Sequence, residues 1–506
     1  MKKLVVSYDG TWNNPEQEVN GAPCPTNVVQ LNNALVESSD QIRYYHPGLG
    51  GEGGLIKPIV GGAFGAGIKR HICSGYHWLA SNYEEGDEIY LFGFSRGAFT
   101  ARSLAGLLGQ GLLDLTGLTP KQQWKRVHQH FENRLAQKDK PRSWKLLHSE
   151  AAVPVRFIGV WDTVGALGIP DDLEILNLLD NPDKWRFYDN KLGEHVRCAR
   201  HAMAIDEKRS SFTVTRWSNA NSHPGDVEEK WFPGVHSDIG GGYAEKDLSD
   251  VSLRWMMDQA QAQGLEFRDG YPETIEGNPL GVMHNSYKGM FAKMRSRPRN
   301  LPLMEPNSTK EFHSSALLRQ ERSPIDYPAY HPTIKLEPGE SITVDVYAGE
   351  RWNDTGLFLE KGHYVFSSKG EWMDSKDVCD WKGTQDDDLT VGDIIRGAGS
   401  VWGSFESLYK KATNNESTDF MLTKRVEEFS WFTMVGAIAN DAGTTNAIKN
   451  DGSPVPHQYV DLPKYHKKKL ALKVTKPGYL YCFPNDVWSL YENNRGSVKL
   501  TVKRVK

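Results

Sequence analysis

Gly93-Phe94-Ser95-Arg96-Gly97-Ala98 lies between a short apolar run, residues 87–92, and a segment, 99–108, whose small and apolar residues recur at helical spacing. A strand, a G-x-S-x-G sequence and a helix in this order are typical of a nucleophile elbow, in which glycines let the chain turn sharply. The alternative is a glycine-containing turn from strand to helix with an incidental serine. We predict an α/β fold in which the turn raises the Ser95 hydroxyl above a sheet.

A serine hydroxyl becomes a nucleophile when a histidine accepts its proton and a carboxylate orients that histidine. After an elbow of this kind the acid and then the histidine follow in chain order. Residues 155–165 form a β-rich run that reaches Asp162, and residues 231–243 form an apolar strand that delivers His236 into a glycine-rich loop. Asp238 is the rival acid, although so close a neighbour of His236 is expected to shape the loop. We predict the triad Ser95, Asp162 and His236.

The start of the chain, residues 3–13, resembles a buried strand that runs into a turn. An oxyanion hole in this fold class takes one amide from the residue after the nucleophile and one from a loop after an early strand. The N–H of Arg96 is therefore the first candidate donor, and the N–H of Gly10 or Thr11 is the second. A plain Asp9-Gly10 turn is the alternative.

The ordered motifs of residues 1–320 resemble a bacterial and fungal α/β-hydrolase domain family, long classed as a domain of unknown function, which includes phospholipase effectors of type VI secretion. The blocks that carry this resemblance are DGTWNN (9–14), PTNV (25–28), YYHPGLG (44–50), GDEIYLFGFSRGAFTAR (86–102), FIGVWDTVGALGIP (157–170), HAMAIDEKR (201–209), WFPGVHSDIGGGY (231–243) and LSDVSLRWM (248–256). The resemblance implies a serine hydrolase of lipid esters, with Ser95, Asp162 and His236 on the triad positions. Helical insertions, such as the one expected around residues 173–179, would cap the sheet.

Composition and length limit the possible classes of protein. The chain has 506 residues, with 39% hydrophobic and 25% charged residues and a net charge of −4, which favours a globular protein of two domains and argues against a nucleic-acid partner. Asp9 interrupts the N-terminal apolar run too early for a signal peptide, and no run is long enough for a transmembrane helix. Five scattered cysteines favour a reducing compartment. We expect a cytoplasmic location in the producing cell, with export to target cells as an option.

The character of the sequence changes near residue 325, which divides a predicted catalytic domain, 1–325, from a second domain, 326–506. Alternating runs separated by turn residues predict an all-β sandwich there. The runs are 341–346, 363–366, 470–474, 478–483 and 496–502. The last two are expected to pair as a hairpin.

The end of this second domain partly resembles the closing hairpin of calcium-dependent galactophilic bacterial lectins, through Asn485-Asp486, Asn493-Asn494 and Gly496-Ser497. The resemblance implies that Asp486, Asn493 and Asn494 bind calcium, and hard oxygen donors of this type suit that ion. Trp381, Gln385 and Asp386 are candidates to line a carbohydrate site. The alternative is an Asn-Asn turn without a ligand.

Together these patterns predict an N-terminal serine esterase or lipase of the phospholipase type followed by a targeting or interaction domain. Catalysis needs no cofactor, and calcium is expected only in the second domain. Expected partners are a lipid or membrane-surface substrate, a carbohydrate, and a secretion machine or an immunity protein. The alternatives are an esterase of small or acylated-sugar esters and a carbohydrate-binding protein with a vestigial hydrolase half.

Overall fold

The computed structural model describes residues 1–10, 18–19, 22–48, 62–136, 144–148, 152–165, 190–293, 295–325, 329–374, 376–384, 424–440, 455–488 and 490–506. The predicted cap helix around residues 173–179 lies outside this part of the chain, as do Thr11, Gln385 and Asp386. None of the helices within the described ranges is long and apolar enough to cross a membrane.

The N-terminal part alternates strands and helices. The strands are β1 (Lys3–Tyr8), β2 (Glu18–Val19), β3 (Ala22–Pro23), β4 (Gln41–His46), β5 (Glu88–Phe94), β6 (Val155–Trp161), β7 (Val196–Ala204) and β8 (Asp226–Phe232). The helices are α1 (Asn27–Ala34), α2 (Gly62–Asn82), α3 (Arg96–Leu108), α4 (Pro120–Leu135), α5 (His236–Gly240), α6 (Asp247–Ala262) and α7 (Ser314–Arg322).

Six of these strands form one parallel sheet in the order β4-β1-β5-β6-β7-β8. Burial is almost continuous along the inner strands β1, β5, β6 and β7 because helices cover both faces, as is usual for parallel sheets. The edge strands β4 and β8 are only partly buried. One face packs against α2, α3 and α4, and the other packs against α1 and α6. Since all six strands run in the same direction, their carboxyl ends share one edge. This α/β architecture agrees with the predicted fold class.

The C-terminal part is mostly antiparallel. Its elements are β9 (Ser341–Tyr347), β10 (Asn353–Leu359), β11 (Gly362–Lys369), β12 (Trp372–Asp374), β13 (Asp377–Cys379), β14 (Met434–Asn440), β15 (Gln458–Asp461), α8 (Leu462–Lys467), β16 (Leu472–Val474), β17 (Gly478–Pro484) and β18 (Arg495–Arg504). One sheet has the order β10-β17-β14-β15, and the other has the order β13-β12-β18-β11-β16 with β9 also paired to β18. Side chains of both sheets meet in one apolar core, consistent with a sandwich.

The prediction that the last two strands form a hairpin is wrong. β17 pairs with β10 and β14, whereas β18 pairs with β9, β11 and β12 in the other sheet. Asn485 directly follows β17, and its buried carboxamide bonds to the Val426 N–H and to the carbonyls of Val426 and Ser430. The chain after β17 thus contacts residues 426–430 before it enters the other sheet as β18.

A further apolar cluster joins the two parts of the chain. Met203 and Trp231 from the parallel sheet pack in the same buried cluster as Phe358 and Tyr481 from the β-sandwich. The predicted domain boundary at 325/326 adjoins residues 326–328, which the structure does not describe, and it stays a prediction.

Candidate functional site

Ser95 lies at the turn between β5 and α3, in the elbow that the sequence predicts. Its φ of 57° and ψ of −122° are unusual for a residue with a side chain, and strain of this kind concentrates at functional sites. A side chain at Gly93 would collide with the backbone of Gly97, and one at Gly97 would collide with the Tyr8 and Asp9 carbonyls. Both glycines are therefore needed to pack the start of α3 against the end of β1.

Asp162 and His236 meet at the same edge of the sheet. Asp162 directly follows β6, and its Oδ2 lies 2.6 Å from the Nδ1 of His236. The other carboxylate oxygen of Asp162 accepts the Ala204 N–H at 3.0 Å. Asp162 has a φ of 33°, so the turn that aims its carboxylate is strained. His236 begins the short helix α5, where the sequence predicted a loop.

Backbone contacts tie Ser95 to the turn that carries Asp162. The Ser95 N–H donates to the Trp161 carbonyl at 3.0 Å, and the Ser95 carbonyl accepts from Val164 N at 3.3 Å. The ring of Phe94, one residue before Ser95, lies 4.6 Å from the His236 ring. The fold thus collects all three predicted triad residues at one place.

Arg299 is a member of the site that sequence reasoning missed. Its Nη2 lies 2.9 Å from Oδ2 of Asp162, and the same atom donates to the Phe212 carbonyl. Burial alone would raise the pKa of Asp162, but the Arg299 charge and the His236 hydrogen bond outweigh it and lower that pKa to about 2. Asp162 is therefore ionised at neutral pH.

His236 is enclosed by aromatic rings and remains neutral. Phe94 and Phe212 lie against its ring, with the Phe212 centroid 4.9 Å away. Burial lowers the pKa of His236, although the Asp162 carboxylate acts in the opposite direction. The backbone N–H of His236 donates to Glu207 Oε2 at 3.3 Å, and the Glu207 carboxylate is itself paired with Arg209. A neutral imidazole whose Nδ1 faces a carboxylate can accept a proton at Nε2.

Asp238, the rival acid, faces a different histidine. Its Oδ1 lies 2.6 Å from Nδ1 of His284, and its Oδ2 accepts the N–H groups of Val235 and His284. These contacts connect the residue before α5 to the segment that carries His284. Asp238 thus contacts Val235 and His284, and its role in shaping the segment that carries His236 stays a prediction.

Asp206 fixes the same segment to the C-terminal part of the chain. Its Oδ2 accepts the Gly234 N–H at 2.7 Å and the Tyr330 hydroxyl at 3.0 Å, and its Oδ1 lies 2.8 Å from Nε2 of His331. Through Asp206, the chain segment just before His236 is thus connected to Tyr330 and His331, which precede the β-sandwich in the sequence.

Two of the three predicted oxyanion donors, Arg96 and Gly10, lie within the described part of the chain. Arg96 is the first residue of α3, and the first amides of a helix have no acceptor within it. The Gly10 N–H donates to its neighbour Asp9 Oδ1 at 2.7 Å, and Asp9 Oδ2 also accepts the hydroxyls of Thr26 and Tyr45. To stabilise an oxyanion, the Gly10 N–H would therefore have to bond to Asp9 Oδ1 and the oxyanion together, or to break its bond to Asp9 Oδ1.

Of the predicted calcium ligands in the C-terminal part, Asp486 and Asn494 are buried and Asn493 is half-buried. Asp486 Oδ2 accepts from Asn494 Nδ2 at 2.9 Å, and Asp486 Oδ1 accepts the Val487 N–H at 2.7 Å. The side-chain oxygens of Asn493 and Asn494 are buried without a hydrogen-bond partner, which suits a cation. Trp381, the candidate for a sugar site, is only 3% exposed and packs in the sandwich core, so its ring cannot stack on a carbohydrate from solvent.

Comparison with known proteins identifies one family. The family model described as the catalytic domain of Tle1-like phospholipase effectors of the type VI secretion system matches residues 2–259, about half of the chain. An uncharacterized protein of Saccharomyces cerevisiae is 25% identical over 440 residues, covering 58% of this chain and 61% of the yeast protein. The chain thus spans less than two thirds of that relative.

Two solved structures resemble the chain weakly. An uncharacterized protein from Pseudomonas aeruginosa has a TM-score of 0.37 and 18% identity, covering 54% of this chain and 47% of that one. A Tle1 effector bound to the VgrG spike of the type 6 secretion system has a TM-score of 0.35 and 19% identity, covering 55% and 77% respectively. These scores are too low to support an argument.

Proposed function

We propose that this chain, which belongs to the family of Tle1-like phospholipase effectors of type VI secretion systems, cleaves phospholipid ester bonds with Ser95 as its nucleophile. The observation that carries the proposal is the 2.6 Å contact between His236 Nδ1 and Asp162 Oδ2 beside the strained Ser95 elbow. This geometry supports the assignment of Ser95 as nucleophile, Asp162 as orienting acid and His236 as base, in the chain order expected for this fold.

His236 accepts the Ser95 proton at Nε2 as the hydroxyl oxygen attacks the ester carbonyl. Asp162 holds the other ring nitrogen protonated and stabilises the imidazolium that forms. The imidazolium then donates its proton to the leaving alcohol, which yields an acyl-enzyme. Water, deprotonated by the same histidine, releases the fatty acid and restores Ser95.

The oxyanion of the tetrahedral intermediate is stabilised by the Arg96 N–H, with Gly10 or Thr11 supplying the second donor. The close packing of Gly97 on the Tyr8 and Asp9 carbonyls supports this assignment, because it brings the start of α3 against the residues before Gly10. Preorganised amides of this type contribute a large part of the rate enhancement in acyl transfer.

The other parts of the proposal concern where the chain acts, its partners and the role of the β-sandwich. The chain acts at a membrane surface after export by a secretion machine, and an immunity protein protects the producing cell. The β-sandwich serves as a targeting or interaction domain, fixed to the catalytic part by Asp206 and by the shared apolar cluster.

The test is lipid analysis of phospholipid vesicles after incubation with the wild-type protein and with Ser95→Ala. The proposal predicts lysophospholipid and free fatty acid with the wild type alone. Hydrolysis of a soluble ester without any lipid product would indicate a small-ester esterase. Absence of both activities in a folded wild type would contradict the proposal and favour the carbohydrate-binding alternative, which glycan binding would then test.

A further inference from the structure

A second histidine–carboxylate pair lies behind the candidate triad. His201 is fully buried in β7, and its Nδ1 lies 3.2 Å from Oε1 of Glu229 in β8. Glu229 also accepts from Arg216 Nε at 2.9 Å and from the Trp217 N–H at 3.1 Å. The mechanism proposed above leaves this pair without a role.

The opposite ring nitrogen of His201 has a partner that determines its protonation state. The Thr163 N–H lies 3.1 Å from Nε2 of His201, and a backbone amide can only donate. Nε2 must therefore be the unprotonated acceptor, so the single ring proton is on Nδ1 and is donated to Glu229. If Nε2 were protonated, its N–H would face the Thr163 N–H, and neither group would have an acceptor.

Thr163 directly follows Asp162. The strained turn at Asp162 is held by two successive residues of β7, because the Asp162 N–H donates to the Ala202 carbonyl at 2.7 Å and the Thr163 N–H donates to His201. The Thr163 carbonyl in turn accepts the Thr215 N–H at 2.8 Å. The His201 ring thus contacts the backbone of this turn, and its hydrogen bond to Thr163 depends on the protonation state of Nε2.

We propose that His201, with its tautomer fixed by Glu229, is a positioning residue that holds the Asp162 turn in its strained conformation through the Thr163 amide. The proposal rests on the proposed function, because its consequence is the aim of the Asp162 carboxylate at His236. The charged groups near His201 are Glu229 from β8, Arg102 from α3, Arg216 beside Glu229 and Asp162 at the end of β6. Glu229 is the group that contacts the ring.

The test compares two variants of His201 in the full-length protein. His201→Leu removes the acceptor, and a displacement of the acid by a fraction of an ångström to 1 Å should lower kcat for a soluble ester about 100-fold with little change in KM. His201→Gln supplies a carboxamide oxygen for Thr163 and an NH₂ group for Glu229. It should restore kcat to within about 10-fold of wild type.

The matched control is His195→Gln, because His195 precedes the opposite end of β7 and its Nε2 contacts the Ala105 carbonyl at 2.9 Å. This variant should lose some thermal stability and keep wild-type kcat. Wild-type kcat in a folded His201→Leu protein would overturn the inference.

If His201→Leu does not fold, the pH profile of His201→Gln decides. The wild type should lose activity at low pH more steeply than His201→Gln, because two histidines titrate in the first protein and one in the second. Equal steepness would overturn the inference. An inactive wild type would instead count against the proposed function.

Discussion

Arg299 Nη2 and His236 Nδ1 approach the same atom, Oδ2 of Asp162, at 2.9 Å and 2.6 Å. One carboxylate oxygen thus holds both a permanent cation and the base of the candidate triad. Arg299 keeps Asp162 ionised, while the Nδ1–H of His236 donates to the carboxylate the hydrogen bond that orients the ring. The arginine therefore acts on the base only through the acid.

Replacing Arg299 should shift the working range of the site to higher pH. Arg299→Gln removes the charge that lowers the pKa of Asp162, so this pKa rises towards its ordinary value or above. We expect kcat at neutral pH to fall roughly 10- to 100-fold, since the carboxylate loses a fixed contact, and the acid limb of kcat to move upward. Arg297→Gln is the control, since Arg297 contacts Asn300 and Val455 instead. Unchanged pH profiles for both variants would rule out this role.

The two candidate acids should respond very differently to the same substitution. Asp162→Asn removes the negative charge next to His236 and favours the wrong tautomer, so kcat should fall about 10⁴-fold, as in other serine triads. Asp238→Asn affects only the contacts to Val235 and His284, and the loss of kcat should be far smaller. Steady-state kinetics on a soluble ester, with thermal melting to verify folding, makes the comparison. The reverse ranking would assign the acid to Asp238.

Asp9 should make stability depend on pH near neutrality. Burial raises the pKa of Asp9 to about 6, against the hydrogen bonds from Tyr45, Thr26 and Gly10. A folded-state pKa above the unfolded value means that the contribution to stability is complete below about pH 4 and is lost as pH rises through 6. Denaturant unfolding at pH 5 and pH 8 should therefore show wild-type stability falling over this range, with a smaller decrease in Asp9→Asn. The decrease in stability that remains in Asp9→Asn is expected from Asp250, because burial also raises the pKa of Asp250 to about 6. An equal decrease in stability between pH 5 and pH 8 in the wild type and in Asp9→Asn would exclude Asp9 as a source of the pH dependence.

The calcium prediction is tested by melting. If Asp486, Asn493 and Asn494 bind calcium in the native state only, added calcium should raise the melting temperature of the wild type by mass action. Asp486→Ala should abolish the shift because it removes the one charged ligand of the three. Asp345→Ala, which removes an exposed acid paired with Lys499 in the same part of the chain, should leave it intact. No calcium shift in the wild type would make the buried Asp486–Asn494 contact purely structural.

Much of the site was predictable because its signals are local. The elbow at Ser95 requires a strand, two glycines and a helix within about twenty residues, and Asp162 and His236 each follow an apolar run. The contact between Asp162 and His236, and the backbone bonds between Ser95 and the turn after β6, agree with the positions of these residues after apolar runs in the sequence. Short apolar runs bounded by turn residues are the pattern that indicates the buried strands of a parallel sheet.

Arg299 and the His201–Glu229 pair could not be predicted because no local pattern marks them. Arg299 reaches Asp162 across 137 residues of sequence, from a segment without regular structure. His201 lies within a motif that supported the family resemblance, yet its proposed role depends on the Thr163 amide, in the turn that follows the neighbouring strand β6. The false hairpin has the same origin, since nearness in sequence favoured a pairing of β17 with β18, whereas each of them pairs with strands that are distant in sequence.

The central claim is that Ser95 is the nucleophile of a serine hydrolase, and covalent labelling tests it most directly. Incubation of the full chain with a fluorophosphonate, followed by peptide mass spectrometry, should place one label on Ser95. Ser95→Ala should remove the label, and Asp162→Asn should slow it strongly. Labelling that persists in Ser95→Ala, or its absence from a folded and active wild type, would contradict the account.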